Sequence, residues 1–246
     1  MSEQILERCS VCGEPIRALM PMMNGEMHEV SILCRCKREV YEAEEQARKD
    51  RERANSIRTA KKASIADERL RAASFEDYEI TDENRTAYKA ARAFVDGFDK
   101  IREPGKDRRR GLLFFGQPGT GKSFTAACIL NELIERGRSG LITSIPRLID
   151  QFQNFEVDSS QLLRDIERVD ILVIDDLGVE GNTTFRLEKA FEIIDTRYGA
   201  DKPTIFTTNL FIDEIESASD IRYQRIYDRV LGMCYPVQIT GKSHRR

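Results

Sequence analysis

Short apolar runs alternate with amphipathic segments along the second half of the chain. Each apolar run is four or five residues long. Strands buried on both faces of a parallel sheet read as continuous apolar runs, whereas the helices that connect them carry apolar residues three and four positions apart. The pattern predicts an α/β fold in which a parallel five-stranded sheet lies between helices. The predicted strands are 112–115, 141–144, 171–174, 204–207 and 235–239.

The first third of the chain has a different pattern. Residues 37–71 consist mostly of Glu, Arg, Lys and Ala, and residues 27–96 contain neither glycine nor proline. This predicts a solvated helix, which is either a linker held by (i, i+4) charge pairs or a helix that binds a partner. Apolar residues at helical spacing begin again near Ala73. We therefore expect a small module over 1–40, a charged helical linker over 41–72 and a larger domain over 73–246.

Composition narrows the class of protein. The 246 residues are 40% hydrophobic and 33% charged, which suits one globular domain with a smaller appendage. With 39 basic against 42 acidic residues the net charge is -3, so any contact with a polyanion must be local. No apolar run approaches the roughly 20 residues that span a bilayer, and the first residues lack the apolar core of a secretory signal. We expect a cytoplasmic protein with no membrane partner.

The cysteines are unevenly distributed. Four of the six, Cys9, Cys12, Cys34 and Cys36, form two close pairs near the start of the chain, which is a ligand set for Zn²⁺ in a closed tetrahedral site. His28 is an alternative ligand, and a redox pair or free thiols are alternative interpretations. About 40 residues cannot bury a core of their own, so metal binding would supply the folding free energy. The other two cysteines, Cys128 and Cys234, lie in apolar segments and are expected to be buried thiols.

A glycine-rich sequence follows the first predicted strand of the larger domain and fits the phosphate-loop pattern G-x-x-x-x-G-K-[ST]. A helix-compatible segment follows it, which gives the strand, loop and helix order that phosphate binding needs. Glycines let backbone N–H groups turn toward phosphates, and the helix presents its positive end to them. Lys122 would reach the β- and γ-phosphates, and Ser123 would bind Mg²⁺. The candidate nucleotide-binding residues are Gly116, Gln117, Pro118, Gly119, Thr120, Gly121, Lys122, Ser123 and Phe124.

Two carboxylates, Asp175 and Asp176, follow the third predicted strand. We expect Asp175 on the Mg²⁺ side, acting through water, and Asp176 to orient or deprotonate the attacking water. Asp176 is shorter than the Glu more often found there in P-loop ATPases of the additional-strand type. The alternative for the pair is a helix N-cap and a turn before Gly178. We also expect their strand to neighbour the strand that precedes the phosphate loop.

Later polar residues complete the candidate site. Asn209 follows the fourth predicted strand, where its amide would either hold the lytic water, as sensor 1, or cap the next turn. Arg225, Arg229 and Arg245 carry the permanent charge that stabilises a transferring γ-phosphoryl group, although each taken alone reads equally well as a surface arginine.

Five blocks of the sequence carry a resemblance to a known family, namely 116–123, 171–178, 207–209, 224–229 and 241–245. Together they resemble the DnaC and IstB family of AAA+ ATPases. The resemblance covers roughly 75–246 and implies that Arg225 is an arginine finger that reaches the ATP of a neighbouring subunit. It implies that Arg245 is the sensor 2 arginine of its own subunit, with Arg229 a weaker candidate for the same cluster.

The resemblance also implies an architecture and partners. Only 37 residues follow Asn209, too few for the usual helical lid, so a lidless AAA+ domain is expected. Because a finger works across an interface, self-association or docking beside another ATPase is implied. In this family the segment that corresponds to 146–168 touches single-stranded DNA. Phe152 and Phe155 of that segment either stack on bases or, as we favour, pack in the core.

Three functions are consistent with these features. The first is an ATPase that loads a hexameric replicative DNA helicase, with the zinc module and charged helix holding the helicase. Its ATP hydrolysis is expected to be slow and stimulated by partner or DNA. The second is an IstB-like ATPase that assists a DNA transposase. The third is a zinc-dependent nucleic-acid-binding module whose ATPase has decayed, against which the intact phosphate loop and carboxylates weigh.

Overall fold

A computed structural model describes residues 4–22, 26–101, 103, 109–153 and 158–243. The chain divides into two compact units, Met1–Ser56 and Ile57–Arg246. Each unit is described by itself below.

The first unit begins with a small antiparallel sheet that the sequence did not predict. Its strands, β1 (Gln4–Arg8), β2 (Pro15–Pro21) and β3 (Met27–Ser31), pair in the order β1-β2-β3. Among the described residues of this unit, only Cys9, Ala18 and Cys34 are buried. The unit therefore has very little apolar core.

The predicted charged helix is present as α1 (Arg35–Ser64), followed by the short helix α2 (Glu68–Arg71). Charge pairs four residues apart, such as Lys49 with Glu45 at 2.8 Å, line α1. Ile65 directly follows α1, is fully buried and forms a parallel bridge with Ile142. The last part of the segment expected to be a linker thus packs against the core of the second unit.

The second unit is built on a five-stranded sheet. Its strands are β4 (Gly111–Phe115), β5 (Gly140–Thr143), β6 (Ile171–Leu177), β7 (Thr204–Thr208) and β8 (Cys234–Gln238). All four strand pairings are parallel and the order is β5-β6-β7-β4-β8. The predicted fold class is confirmed, but the expected adjacency of β6 and β4 is wrong. β7 lies between them, because strand order depends on how the crossover helices pack and not on the apolar runs themselves.

Side chains on the two faces of the sheet enter two separate core clusters. Along β6, Ile171 and Val173 join one cluster, whereas Leu172 and Ile174 join the other, and each cluster also contains residues of the helices that cover that face. This alternation explains why both kinds of position had to be apolar. The helices are α3 (Arg85–Asp96), α4 (Phe98–Ile101), α5 (Lys122–Glu135), α6 (Ile145–Phe152), α7 (Ser159–Arg168), α8 (Thr184–Gly199), α9 (Ile212–Glu216) and α10 (Ile221–Met233).

Phe152, at the end of α6, is partly buried against the second cluster, with the Lys189 ammonium 4.9 Å from its ring centroid. Phe155 lies outside the described residues. Within the described part of the chain, no helix has both the length and the apolar character needed to cross a bilayer.

Candidate nucleotide site and cysteine cluster

The phosphate loop joins the end of β4 to the start of α5. Gly116 has a φ of 139° and Gly121 a φ of 94°, in the region that favours glycine. A Cβ built on Gly116 would lie 2.2 Å from the carbonyl oxygen of Ile239, so only glycine fits beside the chain that leaves β8. α5 then begins at Lys122 and is buried along most of its length, which fixes the direction of its N-terminal end.

Lys122 lies with its ammonium group inside the phosphate loop. Only 5% of the residue is exposed, and its Nζ donates to the carbonyl oxygens of Gly116 at 2.9 Å and Gln117 at 2.7 Å. The hydroxyl of Thr120 donates to the same Gln117 oxygen at 2.9 Å. Ser123 is the second residue of α5 and is half-buried. The loop therefore holds a cation where the sequence predicts phosphate binding.

A cavity of about 290 Å³ adjoins the loop, and part of its lining consists of residues that the sequence did not identify. The hydroxyl of Tyr78 lies 2.9 Å from the Thr125 hydroxyl, and the Tyr78 ring packs at a tilt on Phe124, with 5.8 Å between the centroids. Burial raises the pKa of Tyr78 above its ordinary value. Tyr78 and its neighbours come from the segment before α3, far from the loop in sequence. We call this space the Tyr78 cavity, and it is lined by Asp77, Tyr78, Glu79, Asn84, Thr120, Gly121 and Phe124.

Asp175 and Asp176 lie at the end of β6 and are held by Thr207 of β7. The Thr207 hydroxyl donates to Asp175 Oδ1 at 2.5 Å and accepts from the Asp176 backbone N–H at 2.9 Å. Asp176 has a φ of 56° at the point where the pairing register with β7 breaks, so its side chain leaves the regular strand direction. Asp is among the residues that adopt this conformation most readily. Thr207 belongs to the block that carries the resemblance, but its contact with both aspartates follows only from the strand register.

Asn209 directly follows β7. The residue is half-buried, and its amide has no hydrogen-bond partner among the described residues. Since β6 and β7 are parallel neighbours, Asn209 and the two aspartates lie at the same edge of the sheet. This is also the edge at which the phosphate loop leaves β4.

The two candidate arginines that the structure describes differ in their contacts. Arg225 lies on α10 with its guanidinium carbon 4.3 Å from the ring centroid of Phe191 on α8, and within the described ranges it forms no ion pair. Arg229 donates to Asp195 at 2.9 Å and to Asp228 at 3.2 Å. No hydrogen bond joins Arg225 to the phosphate loop or to the two carboxylates in the part of the chain described. Arg245 lies outside the described residues.

Residues 23–246 match the family described as IstB-like ATP binding protein. The chain belongs to this family. Among relatives of this IstB-like chain, the replicative helicase loader DnaC of Escherichia coli strain K12 is 34% identical over 186 residues, which are 70% of this chain and 72% of that protein.

Solved structures agree with this assignment. A crystal structure of DnaI has a TM-score of 0.60 and 31% identity, covering 73% of this chain and 94% of that chain. A crystal structure of the DnaC helicase loader has a TM-score of 0.59 and 25% identity, covering 71% of this chain and 100% of that chain. The predicted membership of the DnaC and IstB group is confirmed, and with it the AAA+ fold.

The family match begins at residue 23, so the first cysteine pair of this IstB-like protein precedes it. Four sulfur atoms, from Cys9, Cys12, Cys34 and Cys36, nevertheless lie within 4.8 Å of one another. We call these four residues the cysteine cluster. Backbone hydrogen bonds from Cys12 and Val11 lower the pKa of Cys9 to about 6. Hydrogen bonds to the other three sulfurs, that of Cys34 first, raise the pKa of Cys36 to about 12.

The spacing of the cluster fits a tetrahedral metal ion. The Sγ atom of Cys36 lies 3.4 Å from that of Cys34 and 3.6 Å from those of Cys9 and Cys12. Tetrahedral Zn–S bonds of about 2.3 Å put sulfur atoms about 3.8 Å apart. A disulfide would need about 2.05 Å. His28 is not part of the cluster: it lies on β3 with its Nε2 3.6 Å from Glu26.

The two remaining cysteines are buried. Cys128 on α5 is 1% exposed, and burial raises its pKa to about 12. Cys234, the first residue of β8, is fully buried, and its thiol donates to the Thr204 carbonyl at 3.3 Å. Their burial agrees with the expectation from the apolar segments around them.

Proposed function

We propose that this IstB-like protein is an ATP-dependent loader of a hexameric replicative DNA helicase. The observation that carries the proposal is the phosphate loop with the Lys122 ammonium inside it, at the sheet edge that also carries Asp175, Asp176 and Asn209. The similarity to proteins named replicative helicase loaders supports the assignment of the partner.

The nucleotide site would work as follows. The phosphate loop and Lys122 bind the triphosphate, and the Tyr78 cavity receives the base. Ser123 and Asp175 would hold Mg²⁺, which neutralises charge on the β- and γ-phosphates. Asp176 orients the attacking water and accepts its proton, and the Asn209 amide holds the same water. A bond forms from the water oxygen to the γ-phosphorus and the bond to the bridging oxygen breaks, which gives ADP and phosphate.

Arg225 would complete the site of a neighbouring subunit. Its guanidinium rests on an aromatic ring and has no carboxylate partner among the described residues, so moving it to a phosphate breaks no ion pair. Arg229, which pairs with Asp195 and Asp228, would have to give up both pairs. We assign the finger to Arg225 and, from the family resemblance, the sensor 2 role to Arg245. ATP-dependent self-association follows from this assignment.

The first unit would hold the helicase. Its cysteine cluster would bind one Zn²⁺ and so supply folding free energy that its few buried residues cannot. Apolar side chains beside the cluster in sequence are exposed, with Val11 at 83%, Leu33 at 48%, and Val40 and Tyr41 at 57% and 58%. In the proposed role these exposed apolar side chains would contact the helicase. In the second unit, residues 146–168 would contact single-stranded DNA, as the family resemblance implies.

Mixing the full chain with the hexameric helicase of the same organism tests the proposal. We expect a complex whose mass, measured by light scattering, changes when Mg-ATP is added, and no such change with Lys122→Ala. A chain that binds no Mg-ATP in calorimetry would contradict the ATPase assignment.

The family resemblance implies a second candidate, an IstB-like ATPase that assists a DNA transposase. The same experiment with a transposase separates the two candidates. Capture of the transposase without the helicase would overturn the loader assignment and leave the ATPase assignment intact.

A further inference from the structure

Glu180 is a buried carboxyl group that the proposed mechanism does not use. It lies in the connection between β6 and α8 and is 1% exposed. Its Oε1 accepts a hydrogen bond from the Gly178 backbone N–H at 3.1 Å, while its Oε2 is buried with no hydrogen-bond partner in the described part of the chain. Burial raises its pKa. Burying a carboxyl oxygen without a hydrogen-bond partner costs free energy, so we look for a role of Glu180 that offsets this cost.

The loop that Glu180 holds lies between the catalytic carboxylates at the end of β6 and the helix α10, which carries Arg225. On one side, Gly178 is two residues beyond Asp176, so the hydrogen bond from Glu180 fixes the chain that leaves the catalytic carboxylates. On the other side, the Tyr223 hydroxyl donates to the Gly181 carbonyl at 3.3 Å. Tyr223 lies on α10, two residues before Arg225.

A second contact fixes the loop from the α8 side. The Arg186 guanidinium donates through Nε to the backbone carbonyl of Glu180. The Tyr223 ring in turn stacks on Tyr227 of the same helix, with 5.9 Å between their centroids, and Tyr227 is buried. The loop is thus held at its centre by Glu180 and Arg186, and at its edge by α10.

We propose that Glu180 is a positioning residue that couples the catalytic carboxylates at the end of β6 to the helix that carries Arg225. A movement of Asp176 on turnover of a chain's own ATP would then shift the arginine that the chain offers to its neighbour. The inference rests on the proposed function, because that function gives Asp176 and Arg225 their roles.

Two variants of Glu180 test the coupling. Glu180→Ala removes the acceptor of the Gly178 N–H, whereas Glu180→Gln keeps the acceptor and the shape. We expect Glu180→Ala to lower the turnover number of ATP about 10-fold or more, since misplacing catalytic groups by about 1 Å costs up to about 100-fold. Its dissociation constant for Mg-ATP should stay near that of the parent because the phosphate loop is untouched. Glu180→Gln should restore turnover, and Glu188→Ala, which changes an exposed acid on α8, should have no effect.

Hydrogen exchange measured without nucleotide gives an independent readout. Glu180→Ala should speed amide exchange in 177–183 and in the first two turns of α10, and leave exchange in α5 unchanged. Unchanged exchange in α10 would overturn the coupling. So would equal losses of turnover in the Ala and Gln variants, because the charge and not the position would then matter.

The two proposals can fail separately. If the parent chain neither binds nor turns over Mg-ATP, the proposed function fails while the exchange experiment still decides the coupling. If Glu180→Ala does not fold, Tyr223→Phe replaces it, since it removes only the hydroxyl that donates to Gly181. That variant should speed exchange at the start of α10, and its failure to do so would also overturn the coupling.

Discussion

Thr207 contacts the two aspartates of β6 through one hydroxyl group, which is both a hydrogen-bond donor and an acceptor. It donates to the Asp175 carboxylate and accepts from the Asp176 backbone. A carboxylate that is oriented before substrate arrives does not have to be reorganised during the reaction. Thr207 is therefore as much a part of the site as the aspartates themselves, although it need not touch nucleotide.

Replacing Thr207 by Val should lower ATP turnover about 10-fold, which is less than the roughly 100-fold or more lost with a group that contacts the transition state, because Thr207 acts through the two aspartates. The hydroxyl is lost but the β-branched shape of the side chain is kept, so the sheet should remain intact. Thr207→Ser keeps the hydroxyl and should retain most of the activity. Phosphate release and ATP binding by calorimetry check this; equal activity of the Val and Ser variants would contradict it.

Arg225→Ala should abolish ATP turnover and leave ATP binding intact, because Arg225 is proposed to act on the neighbour's nucleotide. Arg229→Ala should cost less, since Arg229 already pairs with Asp195. Mixing Arg225→Ala with Lys122→Ala should recover part of the turnover, because some interfaces then join an intact nucleotide pocket to an intact finger. Undiminished turnover by Arg225→Ala would show that the finger lies elsewhere.

The phosphate loop was predictable because its functional residues are consecutive in the sequence. Its residue types are dictated within eight positions by how backbone amides surround phosphate, so the sequence alone marks Gly116 and Lys122. Tyr78 and Asn84 line the adjoining cavity from a segment more than 30 residues upstream. Nothing local identifies them, because their role depends on the packing of that segment against α5.

At the scale of elements, continuous apolar runs found all five strands of the large sheet but not its order. Each run is apolar on both faces because the sheet has a core cluster on each side, as the alternation along β6 shows. The small sheet of the first unit was missed for the opposite reason. All five residues of β1 are exposed, so β1 carries no burial pattern to detect.

Arg197 joins three elements of the second unit from a fully buried position on α8. Its guanidinium donates to the carbonyls of Ile166 at 2.9 Å and Val169 at 3.0 Å, at the end of α7, and to that of Pro203 at 2.6 Å, before β7. Burial lowers its pKa to about 10. No carboxylate forms an ion pair with it among the described residues, so it serves as a hydrogen-bond donor to these backbone carbonyls.

Arg197→Met should reduce the free energy of unfolding by about 3 kcal/mol or more, because three carbonyls each lose a donor at about 1–3 kcal/mol. Arg197→Lys should recover only part of this, since one ammonium cannot reach acceptors on both sides. Arg164→Ala, on the exposed side of α7, is the matched control. Chemical denaturation measures the difference, and equal stability of Arg197→Met and the parent would contradict it.

For the whole molecule, the two units differ in what stabilises them. The second has two apolar clusters around its sheet, whereas the first buries only three of its described residues. The double variant Cys9→Ser with Cys12→Ser should therefore lose one zinc per chain and unfold the first unit, while ATP binding by the second unit persists. Metal analysis together with calorimetry checks both halves, and unchanged metal content would contradict the zinc assignment.

The proposed roles of the two units can be separated in one experiment with the helicase. Val11→Asp replaces the large apolar residue that is most exposed among those described in the first unit, and it should weaken helicase binding without affecting ATP turnover. Lys122→Ala should do the reverse: it should bind the helicase and fail to release it when ATP is added, because the γ-phosphate can no longer change the conformation of the second unit.

Val11→Ser is the matched control, since it changes the same exposed residue without adding a charge. Helicase retention measured on immobilised protein, with and without Mg-ATP, distinguishes the two variants. If Val11→Asp retained the helicase as the parent does while Lys122→Ala lost it, the helicase would be held by the ATPase unit and the division of roles proposed here would be reversed.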